Sequence, residues 1–158
     1  MSFTLDDTDL KILEHLQPNA CMSNAELARL LGMAPSAVLE RVKKLETRGV
    51  ITGYPARLNA SALGLKLLAF IFIKSSEGPG NAQVAEQLAS LPEVLELHHI
   101  AGEDCYIAKV RARDPQSLVQ FMRAQFSKVK GILSTKTTIV LDTVKEDNHL
   151  PIPKTPEP

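Results

Sequence analysis

Tryptophan is absent, cysteine occurs twice, and aromatic residues make up only 4% of the 158-residue chain. So few rings leave no material for a large aromatic-lined pocket. Cys21 and Cys105 lie far apart without a CxxC partner, which argues against a disulfide scaffold or a zinc ribbon. The longest apolar run, Leu67 to Ile73, is far short of the ~18 residues a membrane span needs. The opening Met-Ser-Phe-Thr-Leu-Asp-Asp lacks the basic end and apolar stretch of a secretory signal, so a soluble cytoplasmic protein with no membrane partner is expected. No Ser-His-Asp order, P-loop or HExxH occurs, and no catalytic residues are expected. Charge of one sign is missing too. The 18 basic and 18 acidic side chains cancel, which at first counts against a nucleic-acid partner.

What is present is unevenly placed. Apolar residues reach 44%, enough for a real core in one domain or two small ones. Residues 1–30 carry Lys11 and Arg29 against Asp6, Asp7, Asp9, Glu14 and Glu26. Residues 35–57 reverse this, with Arg41, Lys43, Lys44, Arg48 and Arg57 against Glu40 and Glu46, a local net charge of +3 (five minus two). Screening confines exposed charge to roughly 8–10 Å, so the local excess matters more than the neutral total.

The first sixty residues read as three helices and a small wing. Leu10, Ile12, Leu13 and Leu16 form a helical stripe that Asp6 can cap, with Asp7 and Asp9 suiting the positive end of the helix dipole. Ser23-Asn24-Ala25-Glu26 is a capping box opening a helix with Leu27, Leu30 and Leu31 inside; Gly32 ends it. Pro35 suits the first position of a third helix, whose buried face is Val38, Val42 and Leu45. At 1.5 Å per residue that helix is about 20 Å long, enough to cross a major groove. Val50 to Arg57 is a β-like run suited to a wing or exit strand. A helix, a short turn containing glycine and a basic-faced helix make a helix-turn-helix.

Residues 58–66 are turn-rich and read as a linker. Then come a strand at Leu67–Ile73, apolar on both faces as a central strand should be, a loop at Ser76–Gly80, and a helix marked by Val84, Leu88 and Leu91. Strands at Val94–Ala101 and Cys105–Ala112 follow, then a helix from Pro115 with Leu118, Phe121, Met122 and Phe126 inward, and a final strand at Ile132–Leu141. The order βαββαβ is that of a ferredoxin-like sandwich, making the fold class α+β. The expected division is a winged helix-turn-helix at 1–57, a linker at 58–66, a ferredoxin-like domain at 67–146 and an extended Pro-rich tail at 147–158.

Several of these pieces occur in a familiar order: Leu5-Asp6 with Asp9, Ser23-Asn24-Ala25-Glu26-Leu27-Ala28, Pro35 through Glu46, Gly49-Val50-Ile51-Thr52-Gly53-Tyr54, the βαββαβ half and Val144-Lys145-Glu146. Over nearly its whole length the chain resembles the Lrp/AsnC (feast/famine) family of prokaryotic transcriptional regulators. The resemblance implies a homodimer paired through the sheets of the second domain and assembling to an octamer. It implies a small-molecule effector, an amino acid or a relative of one, bound between protomers and shifting assembly or DNA affinity, and no cofactor. Two positions depart from the family pattern. Ala34 stands where a serine usually caps the third helix, which predicts a frayed start. In Gly102-Glu103-Asp104-Cys105-Tyr106, Cys105 takes the usual aspartate position.

For double-stranded DNA, Arg41, Lys43 and Lys44 are the expected phosphate or guanine contacts, and Ser36, Leu39 and Glu40 the base-edge or methyl contacts. Arg41 has a second reading, as a partner of an acidic neighbour that orients the helix, and Glu40 can orient Lys44 one turn on. Paired heads predict a palindromic site. For the effector, His99, Ile100, Gly102, Glu103, Asp104 and Cys105 are expected to lie with Thr138, Ile139 and Val140 near one sheet edge, an acid holding the ammonium and Gly102 admitting a carboxylate. No metal site is expected. Adjacent strand residues His98 and His99 point to opposite faces, and Cys105 with one histidine falls short of four ligands. Cys21 is expected to serve packing only. Two other functions compete: an enzyme like the sirohaem decarboxylases that resemble this family, using His98, His99, Arg111 and Arg113, and an architectural DNA-compacting protein.

Overall fold

The computed structural model describes residues 4–77 and 82–154. Most of the expected loop at Ser76–Gly80 therefore lies outside the described residues. The chain divides into two compact units: the stretch up to Arg57 together with the stretch from Lys145 onward, and Leu58–Val144. The first unit is thus assembled from two separate pieces of sequence.

That unit holds helices α1 (Asp7–Leu16), α2 (Asn24–Leu31) and α3 (Pro35–Thr47). At the start of α1, the Asp9 backbone N–H donates to Asp6 and the Asp6 N–H donates to Asp9, a complete reciprocal cap. Ser23 caps α2 by accepting from the Glu26 N–H at 3.1 Å. Gly32 ends α2 in the left-handed conformation at φ 66°, where a Cβ would be strained. α3 starts at Pro35 with no side-chain cap from Ala34. Ile12, Leu16, Leu27, Ala28, Val38, Val42 and Leu45 form the core, each large one contributing about 1.5–3 kcal/mol on burial.

The wing strand expected across Val50–Arg57 is not a strand: residues 52–59 run without sheet pairing. Pro55 lacks the N–H a ladder needs. The segment is held by the Tyr54 hydroxyl, which donates to Glu46 of α3 at 2.8 Å.

In the second unit, Asn59 accepts from the backbone N–H groups of Ser61 and Ala62 and folds the expected linker into a tight turn. Strands β1 (Leu67–Ser75), β2 (Val94–His99), β3 (Tyr106–Ala112) and β4 (Ile132–Ile139) alternate with helices α4 (Gln83–Ala89) and α5 (Pro115–Gln125) as βαββαβ. Three strands are shorter than the apolar pattern suggests, β2 stopping before Ile100, β3 starting after Cys105 and β4 stopping before Val140, whereas β1 runs two residues further, to Ser75. The sheet is antiparallel, in the order β2-β3-β1-β4. Ala69, Ile71, Ile73, Ala108 and Val110 pack against Val84 and Leu88 of α4 and Leu118 and Phe121 of α5. Alternate residues Phe70, Phe72, Ile107 and Lys109 therefore point to the opposite face. Among the described residues of this unit, no helix covers them.

Candidate nucleic-acid interface and effector site

The α2–turn–α3 geometry is set by the left-handed Gly32 and by the Met33 N–H donating to Ala28 at 2.9 Å. With Val38, Val42 and Leu45 buried, Ser36, Leu39, Glu40, Lys43 and Lys44 fall on the outward side of α3, within an arc of roughly 140° at 100° per residue. All are exposed, and Leu39, a large apolar side chain, is 40% so. A helix edge mixing two ammonium groups, a hydroxyl and a methyl-bearing side chain can contact phosphates and base edges together.

Arg41 is placed differently. Its Nη1 donates to Asp6 at 2.7 Å and to Asp9 at 2.8 Å, joining α3 to the cap of α1. The Asp9 side chain is only 8% exposed, so this carboxylate depends on protein partners. Burial pushes the Asp6 carboxyl up, but the Asp9 backbone N–H and the Arg41 guanidinium outweigh it and hold the pKa below 3.8. The same two carboxylates raise the pKa of Arg41. This is the orienting alternative of the sequence reading. The reciprocal Asp6–Asp9 cap and the Tyr54 tether escaped that reading: an acidic N3 residue is a capping signal, but nothing local marks a tyrosine's distant acceptor. Burial first, then the bond to Glu46, pushes the Tyr54 phenol up to about 12.

The effector candidates do not share one edge. His99 pairs with Tyr106, and Tyr106 with Ile73 near the far end of β1. Thr138 pairs with Phe70, and Val140 donates to Leu68 near the start of β1. β2 and β4 are opposite edges of the sheet, so Gly102–Cys105 and Thr138–Val140 lie roughly 15 Å apart or more in one chain at 4.8 Å per strand and 3.3 Å per residue. One amino acid cannot touch both groups of a single protomer. The turn itself is built for close approach: Gly102 has φ 152° and open space where a Cβ would stand. The Ile100 N–H closes the turn on the Cys105 carbonyl at 2.9 Å. The Cys105 thiol points back into the sheet end, accepting from the Ser75 N–H at 3.4 Å.

His98 and His99 are both exposed, His98 beside Glu96 at 3.5 Å and His99 stacked on Tyr106 at 5.1 Å. No group of three metal-ligating side chains occurs among the described residues. His98 pairs with Ile107, and Arg111 lies four residues further along β3, about 13 Å away at 3.3 Å per residue. The histidines and arginines of the enzyme alternative thus do not converge in one chain. Cys21 is exposed rather than packed, because Asn19 accepts its backbone N–H in a surface turn. No helix among the described residues is long and apolar enough to cross a membrane.

Two family models cover most of this architecture. Residues 5–52 match the winged helix-turn-helix DNA-binding domain, and residues 68–150 match the Lrp/AsnC ligand binding domain. The chain belongs to the Lrp/AsnC family. It is 36% identical to the HTH-type transcriptional regulator FL11 of Pyrococcus furiosus, over 94% of this chain and 97% of that one. A Neisseria meningitidis transcriptional regulator solved as a complex with L-Met superposes with TM-score 0.86 at 31% identity, covering 94% and 97% of the two chains. A feast or famine regulatory protein from M. tuberculosis complexed with L-methionine gives 0.86 at 32%, covering 94% and 99%. As an Lrp/AsnC protein the chain is a DNA-binding transcriptional regulator with a ligand-binding domain, and its α+β fold is the one the family's solved structures share.

Proposed function

We propose that this regulator binds a palindromic promoter site as a homodimer and changes its assembly or DNA affinity when an amino acid binds. The exposed edge of α3 carries the reading: Ser36, Leu39, Glu40, Lys43 and Lys44 face outward, while Arg41 is engaged with α1. Ser36, Leu39 and Glu40 read base edges, Lys43 and Lys44 bind phosphates, and Arg41 orients the helix. Phe70 and Phe72, only partly buried on the uncovered sheet face, are the surface through which two copies pair, the pairs assembling to an octamer. The separation of the two effector groups supports a site shared between copies. His99, Ile100 and Gly102–Cys105 of one protomer are completed there by a Thr138–Val140 segment of another. The L-methionine complexes of two similar proteins make an amino acid the first effector class to test. The protein acts in the cytoplasm by equilibrium binding, without a cofactor and without catalysis, as the names of its relatives as regulators support.

The test is a gel-shift titration on a duplex selected from a random library. Replacing Lys43→Glu together with Lys44→Glu weakens binding and flattens the dependence of log affinity on log salt by about 0.9 per lost phosphate contact. Unchanged binding removes the α3 assignment. Salt-dependent binding to every sequence alike points to DNA compaction instead.

A further inference from the structure

The segment after the ligand-binding unit joins the head through a specific set of bonds. Gln17, at the end of α1, donates from Nε2 to the Leu150 carbonyl at 2.8 Å and accepts the Leu150 N–H on Oε1, also at 2.8 Å. A primary amide here imitates a neighbouring strand's peptide group, satisfying both backbone groups of one residue. The local sequence singles out that residue. Pro151 and Pro153 have no N–H, and a residue before proline is held extended. Arg57 makes the second attachment, donating to the Glu146 carbonyl at 3.2 Å and lying 3.8 Å from the Asp147 carboxylate. Asp147 in turn accepts the His149 N–H at 3.1 Å, shaping the bend between the two attachments. Ile152 alone between residues 141 and 154 is partly covered beyond Val140.

The chain thus leaves the head at Arg57 and comes back at Lys145, and Arg57 itself holds the returning strand of chain. A head on one covalent tether swivels about it. Here the two crossings, after Arg57 and before Lys145, are fastened to each other within the first unit. The return segment starts from β4, whose following residue Val140 is still bonded to Leu68 of β1.

We infer that residues 145–154 are a strap completing the DNA-binding unit and holding the paired heads at one half-site spacing, with Gln17 and Arg57 as positioning residues. This rests on the DNA-binding reading above. Gln17→Ala and a chain ended after Val144 are compared with the full chain on duplexes carrying one half-site, or two half-sites at varied spacing. Hydrogen exchange is followed at the Leu150 amide. In the full chain this amide is protected and one spacing is preferred about tenfold or more, a 1.4 kcal/mol difference. In Gln17→Ala the protection is lost and the preference falls to within about threefold, with single half-site affinity kept, which a merely destabilised head would not show. The point variant decides should the shortened chain fail to fold. An unprotected Leu150 amide in the full chain overturns the strap, as does a spacing profile that survives loss of that protection. Failure to select any duplex overturns the DNA-binding reading itself, and the spacing role with it, while the exchange data still report whether the strap exists.

Discussion

Three short helices bury Ile12, Leu27, Val38 and Leu45 among themselves, and Arg41 in the middle of α3 is tied to the start of α1 through Asp6 and Asp9. The four-stranded sheet buries Ala69, Ile71 and Ile73 under two helices but leaves Phe70, Phe72 and Ile107 on the other side. A unit that closes its own core has no need of a second copy. A sheet with partly buried aromatic residues on a face that its own helices leave open is the surface to which pairing is assigned in the proposal above. DNA contact belongs instead to the helix-turn-helix head.

The strongest way to break this contrast is to put charge on the open face. Phe70→Glu with Phe72→Glu is expected to lower the mass seen by light scattering at least twofold. DNA affinity falls about 100-fold or more, since two linked heads gain by effective concentration. The head keeps its own melting transition. A pair that survives both substitutions places the interface elsewhere.

Local patterns in the sequence reached far into this division. The Val38–Val42–Leu45 spacing and the Gly32–Pro35 punctuation identify α2, α3 and the buried face of α3, because helix periodicity and caps are written in neighbouring residues. On α2 the pattern misplaces Leu30, which is 52% exposed while Leu27 and Ala28 are buried. The order βαββαβ is likewise legible from alternating apolar runs. What failed depends on distant pairing. The sequence pattern sets Thr138 near Asp104, whereas the strand order puts β4 and β2 at opposite edges. The orienting role of Arg41 is among the expectations, but its partner Asp9 lies 32 residues away and Gln17 meets Leu150 across 133, distances at which no periodicity names the partner. The wing strand failed for a related reason: a β-like run makes a strand only where a partner ladder exists.

Arg41→Ala sharpens the contrast inside the head, at smaller cost. It leaves the nearly buried Asp9 short of a charged partner, a loss of about 2 kcal/mol, or on the order of 10 °C in a domain of this size. Circular dichroism on heating measures it. Because the guanidinium is engaged with carboxylates, the salt slope of DNA binding stays unchanged, unlike that of the Lys43 and Lys44 variants. Acid reports the same contact. The folded pKa of Asp6 lies below 3.8, so its stabilisation is complete above the unfolded value and is lost as pH falls through the folded one. Below about pH 4 the melting gap between wild type and Arg41→Ala is expected to narrow. A gap that widens there reverses the assignment.

The smallest expected effect compares the starts of two helices. α1 begins with a reciprocal carboxylate cap, whereas α3 begins at Ala34 with none, its first turn held by the Ala37 and Val38 N–H groups donating to the Ala34 carbonyl at 3.0 and 3.2 Å. The helix is formed from Pro35 despite the missing cap, because proline fixes the first φ and Val38 is buried one turn on. Ala34→Ser supplies a hydroxyl that the Ala37 N–H can reach and stabilises the head by about 1 kcal/mol, roughly 4–8 °C. If core packing already holds the start of α3 in its binding geometry, DNA affinity moves by less than about threefold, under 0.7 kcal/mol. If the uncapped turn frays in solution, pre-ordering it raises affinity by about as much as it raises stability, close to fivefold for each kcal/mol. Measuring melting and binding on the one variant separates an alanine that merely costs stability from one that keeps the reading helix adjustable at its tip.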